Sequence, residues 1–234
     1  MAFVSNALGI AGMVLQVGAL VLLLRGPLTR YFPLFLYLLT LTGDTVAEGW
    51  VLRTYGGGNP MYYNVYWGGE LLLDLLLFFL VISLTVRALE GSPLKPKIVR
   101  FLLGVCVVVL VVPFLAFDHG VFSRKWNQSV AQLLNFGAAV MNLGLWSALV
   151  LSRPRDRQLL TVSAGLGIAV AGAALTLGVR QFTVDGDLLR QVSDSLHRMT
   201  QIASPLIWCW AFWSSRPRIA LPPGPPVDLT ASAN

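Results

Sequence analysis

The sequence predicts an all-α membrane protein, a bundle of seven transmembrane helices. Of its 234 residues, 56% are hydrophobic and 12% charged, and the mean hydropathy is +0.69. This is more apolar surface than a soluble domain of that length buries. Apolar windows of about 20 residues, the length that crosses a bilayer, recur along the chain, and basic residues crowd alternate connections. We therefore expect a multi-pass protein of the plasma (inner) membrane, surrounded by lipid.

Seven apolar windows follow one another with short connections. They lie near Val4–Leu24, Tyr31–Leu52, Asn64–Ala88, Phe101–Phe117, Gln128–Leu151, Leu159–Val179 and Leu196–Trp213. The transmembrane domain is expected to cover 1–214, and the Pro-rich segment 215–234 is expected to be a disordered cytoplasmic tail. Because 187–213 contains no glycine, the last helix is expected to begin outside the membrane.

The distribution of Lys and Arg predicts the orientation. Basic residues concentrate after spans one, three, five and seven, and these four places share one side of a seven-span chain. The positive-inside rule makes that side cytoplasmic, so the N-terminus is expected outside and the C-terminus inside. The net charge of +6 then reflects loops beside anionic lipid, and no nucleic-acid partner is expected. The basic residues on the expected cytoplasmic side are Arg25, Arg30, Arg87, Lys95, Lys97, Arg100, Arg153, Arg155, Arg157, Arg216 and Arg218.

Spans two and three each carry two acidic residues at helical spacing. Asp44 and Glu48 lie near the outer end of span two, and Glu70 and Asp74 lie early in span three. Residues four apart share a helix face, and the depths of the two pairs overlap in the outer half of the bundle. An isolated carboxylate at the centre of a membrane helix costs roughly 3 kcal/mol, so four of them indicate a buried polar site. We expect them to form one acidic cluster.

Four carboxylates so close together cannot all remain charged without a counter-ion. Some hold protons, or a cation binds among them. Oxygen ligands alone favour a hard ion such as Na⁺ or Ca²⁺ over zinc. The aromatic faces of Tyr62, Tyr63, Tyr66 and Trp67, at the expected mouth, suit a cationic amine equally well. The sequence leaves proton, metal ion and amine open.

The other spans differ in polarity. Span one has a lone polar residue at mid-length, Gln16, span four is expected to face lipid, and span six has small residues suited to close helix packing. Spans two, three, five and seven are expected to build the polar interior. Gln132, Asn135 and Gln201 therefore join the acidic cluster as candidate ligand- or cation-binding residues. The polar stripes are Gln128, Gln132, Asn135 and Asn142 in span five and Asp194, His197, Gln201 and Ser204 in span seven.

Known seven-span families provide a further comparison. The motif Tyr66-Trp-Gly-Gly-Glu70 resembles uncharacterised bacterial seven-helix integral membrane proteins, a resemblance that implies the span pattern and no activity. A retinal protein needs a lysine in its last span, which this chain lacks. Zinc-dependent seven-helix hydrolases use several histidines, whereas this chain has only His119 and His197. The Pro-Gln signature of the small PQ-loop transporters is also absent.

Three function classes follow from these features. The leading hypothesis is a non-enzymatic bundle that binds a cation or small cationic ligand from outside and passes a helix movement to the cytoplasmic face, as a sensor does. The second is a cation- or proton-coupled transporter or channel, and the third is a structural subunit of a larger membrane complex. No Ser/His/Asp or Cys/His arrangement is evident, so catalysis is disfavoured, and no cofactor is expected. A sensor of this kind needs a protein partner at the cytoplasmic loops or tail.

Overall fold

The computed structural model describes residues 2–26, 28–90, 95–116, 123–151, 156–182 and 188–214. All the regular structure in these ranges is helical, which confirms the predicted all-α class and the number of helices for this part of the chain. The predicted tail 215–234 lies outside the described residues, as do Arg153, Arg155, Arg216 and Arg218. The helices are α1 (Ala2–Leu24), α2 (Phe32–Tyr55), α3 (Pro60–Ala88), α4 (Lys95–Ala116), α5 (Arg124–Leu151), α6 (Arg157–Phe182) and α7 (Leu188–Ser214).

The turn between α2 and α3 shows how local sequence sets a helix boundary. Gly56 follows α2 with a φ of 77°, a conformation that favours glycine, and its N–H donates to the carbonyl of Leu52. Asn59 caps α3, since its side chain accepts a hydrogen bond of 2.8 Å from the backbone N–H of Met61. Pro60 then occupies the first position of the helix, where it has no N–H to leave unpaired. The turn is tight, so α2 and α3 are antiparallel neighbours.

Three segments are long and apolar enough to cross a membrane by length and composition. They are Pro60–Ala88, Lys95–Leu115 and Arg157–Thr176, and Gly9–Leu24 is apolar but shorter. These helices are compatible with a membrane protein. In α2, charged residues such as Asp44 and Glu48 lower the hydropathy of the helix.

Six of the described helices form a closed ring. Neighbours around it are α1, α2, α3, α5, α6 and α7, with α7 packing back on α1 and α3 also touching α6 across the centre. The helix α4 lies outside the ring and packs only on α3 and α5 among the described helices. Asp74 pairs with Asn135, and Phe78 meets Gly137, so α3 and α5 run in the same direction. The peripheral position of α4 fits the lipid-facing role expected of span four.

Glycines in α6 allow the close packing that its small residues predict. A Cβ at Gly165 would lie 2.6 Å from Nε1 of Trp208, and a Cβ at Gly172 would lie 2.2 Å from Oγ1 of Thr200. The helix α7 therefore packs against the backbone of α6. The indole N–H of Trp208 also donates to the carbonyl of Val162 at 3.0 Å, which fixes the ring in this groove.

A cluster of charged and aromatic side chains ties together one end of the bundle. Arg30 forms an ion pair with Asp156, and Arg87 donates to the carbonyl of Arg30. The guanidinium groups of Arg30 and Arg87 lie 5.6 and 5.3 Å from the ring centroid of Tyr31. Tyr31 in turn meets Phe212 edge to face at 5.4 Å. The connections after α1, α3 and α5 and the end of α7 thus share one end, hereafter the basic end.

Candidate functional site

A cavity of about 550 Å³ lies inside the ring, between α1, α2, α3, α6 and α7. Its walls bring together five of the seven residues that the sequence singles out as candidates. Cavities of this size accommodate small organic molecules and are much larger than a single ion requires. The five candidate residues in the wall are Asp44, Glu48, Glu70, Asp74 and Gln201.

Asp74 is the most deeply buried of these acidic residues. Its side chain is 6% exposed, and its Oδ1 accepts a hydrogen bond of 2.7 Å from Nδ2 of Asn135. Its Oδ2 is buried without a hydrogen-bond partner. A buried carboxylate oxygen with no partner is costly, because the solvation that it loses is not replaced. Asp74 therefore presents an unsatisfied acceptor at the wall of the cavity.

Asp44 lies directly against the backbone of α3. Its carboxylate occupies the space beside Gly69, where an ideal Cβ would lie 1.8 Å from Oδ1 of Asp44. The absence of a side chain at Gly69 allows this close approach of α2 and α3. The contact also sets the register of the two helices, since Asp44 is level with Gly69 and the adjacent Glu70. Glu48 lies one helical turn further toward the α2–α3 connection.

The α5 amides do not line the cavity, contrary to the expectation that span five contributes to its wall. Asn135 is fully buried behind Asp74, and its Nδ2 also contacts the carbonyl of Ala131 at 3.0 Å. Gln132 is half-buried on α5 and is not among the lining residues. The physical reason is the contact of α3 with α6 across the ring, which separates α5 from the cavity. Asn135 therefore holds a cavity carboxylate and does not face the cavity itself.

Two helices that the sequence did not assign to the site complete its wall. Gln16 of α1 is 6% exposed, lines the cavity and has an Oε1 with no hydrogen-bond partner. Thr176 of α6 also lines it, and its hydroxyl donates to the carbonyl of Gly172 at 2.8 Å. The signal for Gln16 was present in the sequence as a lone amide in an apolar helix. No comparable signal marked Thr176.

The polar stripe predicted for span seven reaches the cavity through Gln201. The side chains of Asp194 and His197 lie outside the described part of the structure. The hydroxyl of Ser204 donates to the carbonyl of Thr200 in its own helix at 2.9 Å. Such a bond satisfies a polar side chain within an apolar helix. Of the described members of this stripe, Gln201 is the candidate for ligand contact.

Apolar and aromatic side chains alternate with the acidic ones in the wall. Of the tyrosines, Tyr37 and Tyr66 line the cavity. Tyr66 stacks on Tyr62 at 6.3 Å and meets Trp67 edge to face at 5.4 Å, so the aromatic residues predicted for the mouth form one group. The apolar lining residues include Met13, Leu41, Leu73, Leu77 and Ile202.

The charge of the cavity is of one sign. None of the described residues that line it is Lys, Arg or His, whereas four are acidic. Among the described residues, no three His, Cys, Asp or Glu side chains are grouped so as to hold a metal ion. The wall therefore offers carboxylate oxygens, aromatic faces and apolar surface. This combination suits an organic cation.

No family model, curated protein or solved structure matches this chain. The resemblance carried by Tyr66–Glu70 stays a prediction. What the cavity binds must follow from its own side chains.

Proposed function

We propose that this chain is a seven-span membrane protein, with its N-terminus outside, whose cavity binds a small organic cation from the outer side. The observation that carries the proposal is the unpartnered Oδ2 of Asp74 in a cavity with four acidic residues. A cation that enters supplies the counter-charge that the described wall lacks. Each carboxylate that it contacts then gains a charge-assisted hydrogen bond in a medium of low dielectric constant.

Two features support seven spans. The helices α1, α2, α5 and α7 do not contain any of the three segments named above. They are still 23 to 28 residues long, about 34–42 Å, which exceeds the ~30 Å of hydrocarbon. Many of their exposed side chains are large and apolar, as at Val14, Val140 and Trp213, while amides such as Asn135 and Asn142 are buried. A soluble protein rarely exposes so much apolar surface. The distribution of Lys and Arg supports a cytoplasmic basic end.

The arrangement of helices supports a role in signal transmission. The helices α2 and α3 hold the acidic residues between their middle and the α2–α3 connection, and carry Arg30 and Arg87 at or beside the opposite end. A ligand that draws Asp44 and Asp74 together moves two rigid helices, and shifts of this kind at packed interfaces are a common switching mode. A protein partner at the cytoplasmic connections then detects the movement.

A transporter is the second candidate, and the contacts at the basic end favour it. The Arg30–Asp156 pair and the Tyr31–Phe212 contact join the helices at the basic end. Alternating access requires contacts of this kind that break when the binding site opens to the other side. Uptake of labelled butylamine into proteoliposomes distinguishes the two candidates, because a sensor binds the amine without accumulating it.

The orientation predicts the accessibility of the two termini. A tag placed before Met1 is expected to be cleaved by protease added to intact cells, and a tag placed after Asn234 is expected to resist it. Permeabilised cells provide the control, since both tags are then cleaved. External cleavage of the C-terminal tag alone would reverse the proposed orientation and place the acidic cavity on the cytoplasmic side.

Ligand binding is expected to depend on the charge of Asp74. Butylamine, as its ammonium ion, should raise the melting temperature of the purified wild type, by the equivalent of about 2.7 kcal/mol at a hundred times the dissociation constant. The Asp74→Asn variant should lose this response. Glu90→Gln is the matched control, because it removes one exposed carboxylate near the basic end and should respond as the wild type does.

The same melting experiment, repeated with Na⁺, Ca²⁺ and Zn²⁺ at equal ionic strength, tests the choice of an organic cation. A metal ion that stabilises the wild type more than butylamine does would contradict it. Equal shifts in the melting temperature of the wild type and Asp74→Asn with every cation would contradict a binding site at Asp74. The structural-subunit hypothesis would then lead, and copurification of a stoichiometric partner would test it.

A further inference from the structure

The acidic residues are spread along the length of the cavity. The contact of Asp44 with Gly69 fixes the register of the antiparallel helices α2 and α3. Glu48 then lies one turn outward of the level that Asp44 shares with Glu70, and Asp74 lies one turn inward of it. At 1.5 Å per residue, the three levels are separated by roughly 6–7 Å and extend over about 13 Å. The carboxylates thus form a ladder.

A ligand with one charge supplies one counter-charge to a wall that holds four acidic residues. The described lining contains four acidic residues and no basic one. Between the levels of Asp44 and Asp74 the wall includes apolar side chains, since Leu41 lies one helical turn inward of Asp44 and Leu73 directly precedes Asp74. Carboxylates at regular intervals, with apolar side chains between them, match a ligand whose ammonium groups are joined by methylenes.

Two unpartnered acceptors belong to residues of the cavity wall. The Oδ2 of Asp74 and the Oε1 of Gln16 belong to side chains that are each 6% exposed, and both residues line the cavity. Each is a hydrogen-bond acceptor left without a donor. A primary ammonium carries three N–H donors and no acceptor, which matches this need.

We propose that the cavity takes a linear diamine or polyamine, with one ammonium group at Asp74 and Gln16 and the next at the level of Asp44 and Glu70. This inference rests on the proposed function and specifies its ligand class. With bonds near 1.5 Å, about four methylenes place two ammonium groups roughly 6 Å apart, the spacing of adjacent levels. The methylenes then lie against the leucines.

The test compares amines of one and two charges on the purified full-length protein. Dissociation constants of butylamine, ethylenediamine and putrescine are measured by calorimetry at equal ionic strength. Putrescine is expected to bind about tenfold more tightly than butylamine, equivalent to ~1.4 kcal/mol. Ethylenediamine is too short to reach the second level and should bind as butylamine does.

Variants at the second level separate this inference from the proposed function. Asp44→Asn should reduce the affinity for putrescine much more than the affinity for butylamine, because it removes a carboxylate from the level that only the second ammonium group reaches. Gly69→Ala should do the same without removing a charge, since its Cβ displaces the carboxylate of Asp44. Gly68→Ala is its matched control, because a Cβ there meets nothing within 4 Å and the preference for putrescine should persist.

The outcomes are distinct. Equal affinities for putrescine and butylamine, both lost in Asp74→Asn, would overturn the diamine inference and retain the organic-cation site. A preference for putrescine that survives both Asp44→Asn and Gly69→Ala would also overturn the inference. Binding of no amine by the wild type would overturn the proposed function itself.

Discussion

Replacing Gly165 by alanine is expected to destabilise the bundle by about 1–3 kcal/mol, the usual cost of overpacking. The added Cβ would lie 2.6 Å from Nε1 and 2.9 Å from Cδ1 of Trp208. The indole cannot easily move aside, because it is 1% exposed and its N–H is bonded to the carbonyl of Val162. Movement of the ring costs that hydrogen bond as well. Thermal unfolding in detergent, followed by tryptophan fluorescence, measures the loss.

The matched control lies in the same helix. A Cβ at Gly178 meets nothing within 4 Å, so Gly178→Ala should leave the melting temperature unchanged or raise it slightly, since alanine favours helix over glycine. Adding Trp208→Phe to Gly165→Ala should recover part of the loss, because phenylalanine lacks the ring atoms nearest to the new methyl group. Equal melting temperatures for Gly165→Ala and Gly178→Ala would contradict the proposed tight contact of α6 with α7.

Replacing Asn135 by leucine is expected to have a similarly large effect for a different reason. The variant removes the donor to Oδ1 of Asp74, whose Oδ2 already has no partner. Leaving a buried acceptor unpaired costs about 1–3 kcal/mol. When Asp74 is also replaced by leucine, the same change at Asn135 should cost much less, because no acceptor then needs the amide.

A double-mutant cycle of unfolding free energies measures this coupling. Wild type, Asn135→Leu, Asp74→Leu and the double variant are compared in one detergent. Strictly additive losses would show that the contact between Asn135 and Asp74 contributes nothing. The cycle also tests whether Asn135 is a supporting residue, since a ligand contact alone would not change the stability of the unliganded protein.

The helices were predictable because their signals are local. Apolar length and turn residues determine where each begins and ends, so span one and α1 both end at Leu24, and span five and α5 both end at Leu151. The long last helix also follows from local sequence, because no glycine interrupts 187–213. The α2–α3 turn is short enough to make these helices neighbours, which brings the two acidic pairs together.

The remaining walls of the site depend on contacts between distant parts of the chain. Small residues in α6 indicated close packing, but their partners, Trp208 and Thr200 of α7, cannot be read from spacing. The packing of the ring, with α3 in contact with α6, decides that Gln16 and Thr176 line the cavity and that Gln132 does not. An amide in an apolar helix thus indicates a polar interior without revealing which neighbour it will meet.

The position of α4 outside the ring has a topological consequence. Asn135 meets Asp74 because α3 and α5 are parallel neighbours, and two consecutive helices joined by a short turn are antiparallel. The chain must therefore make one return passage between them, and α4 is that crossover. The presence of α4 determines the direction of the helices that follow it. Without α4, the helix α5 would run antiparallel to α3. Another apolar helix of equal length would provide the same return passage.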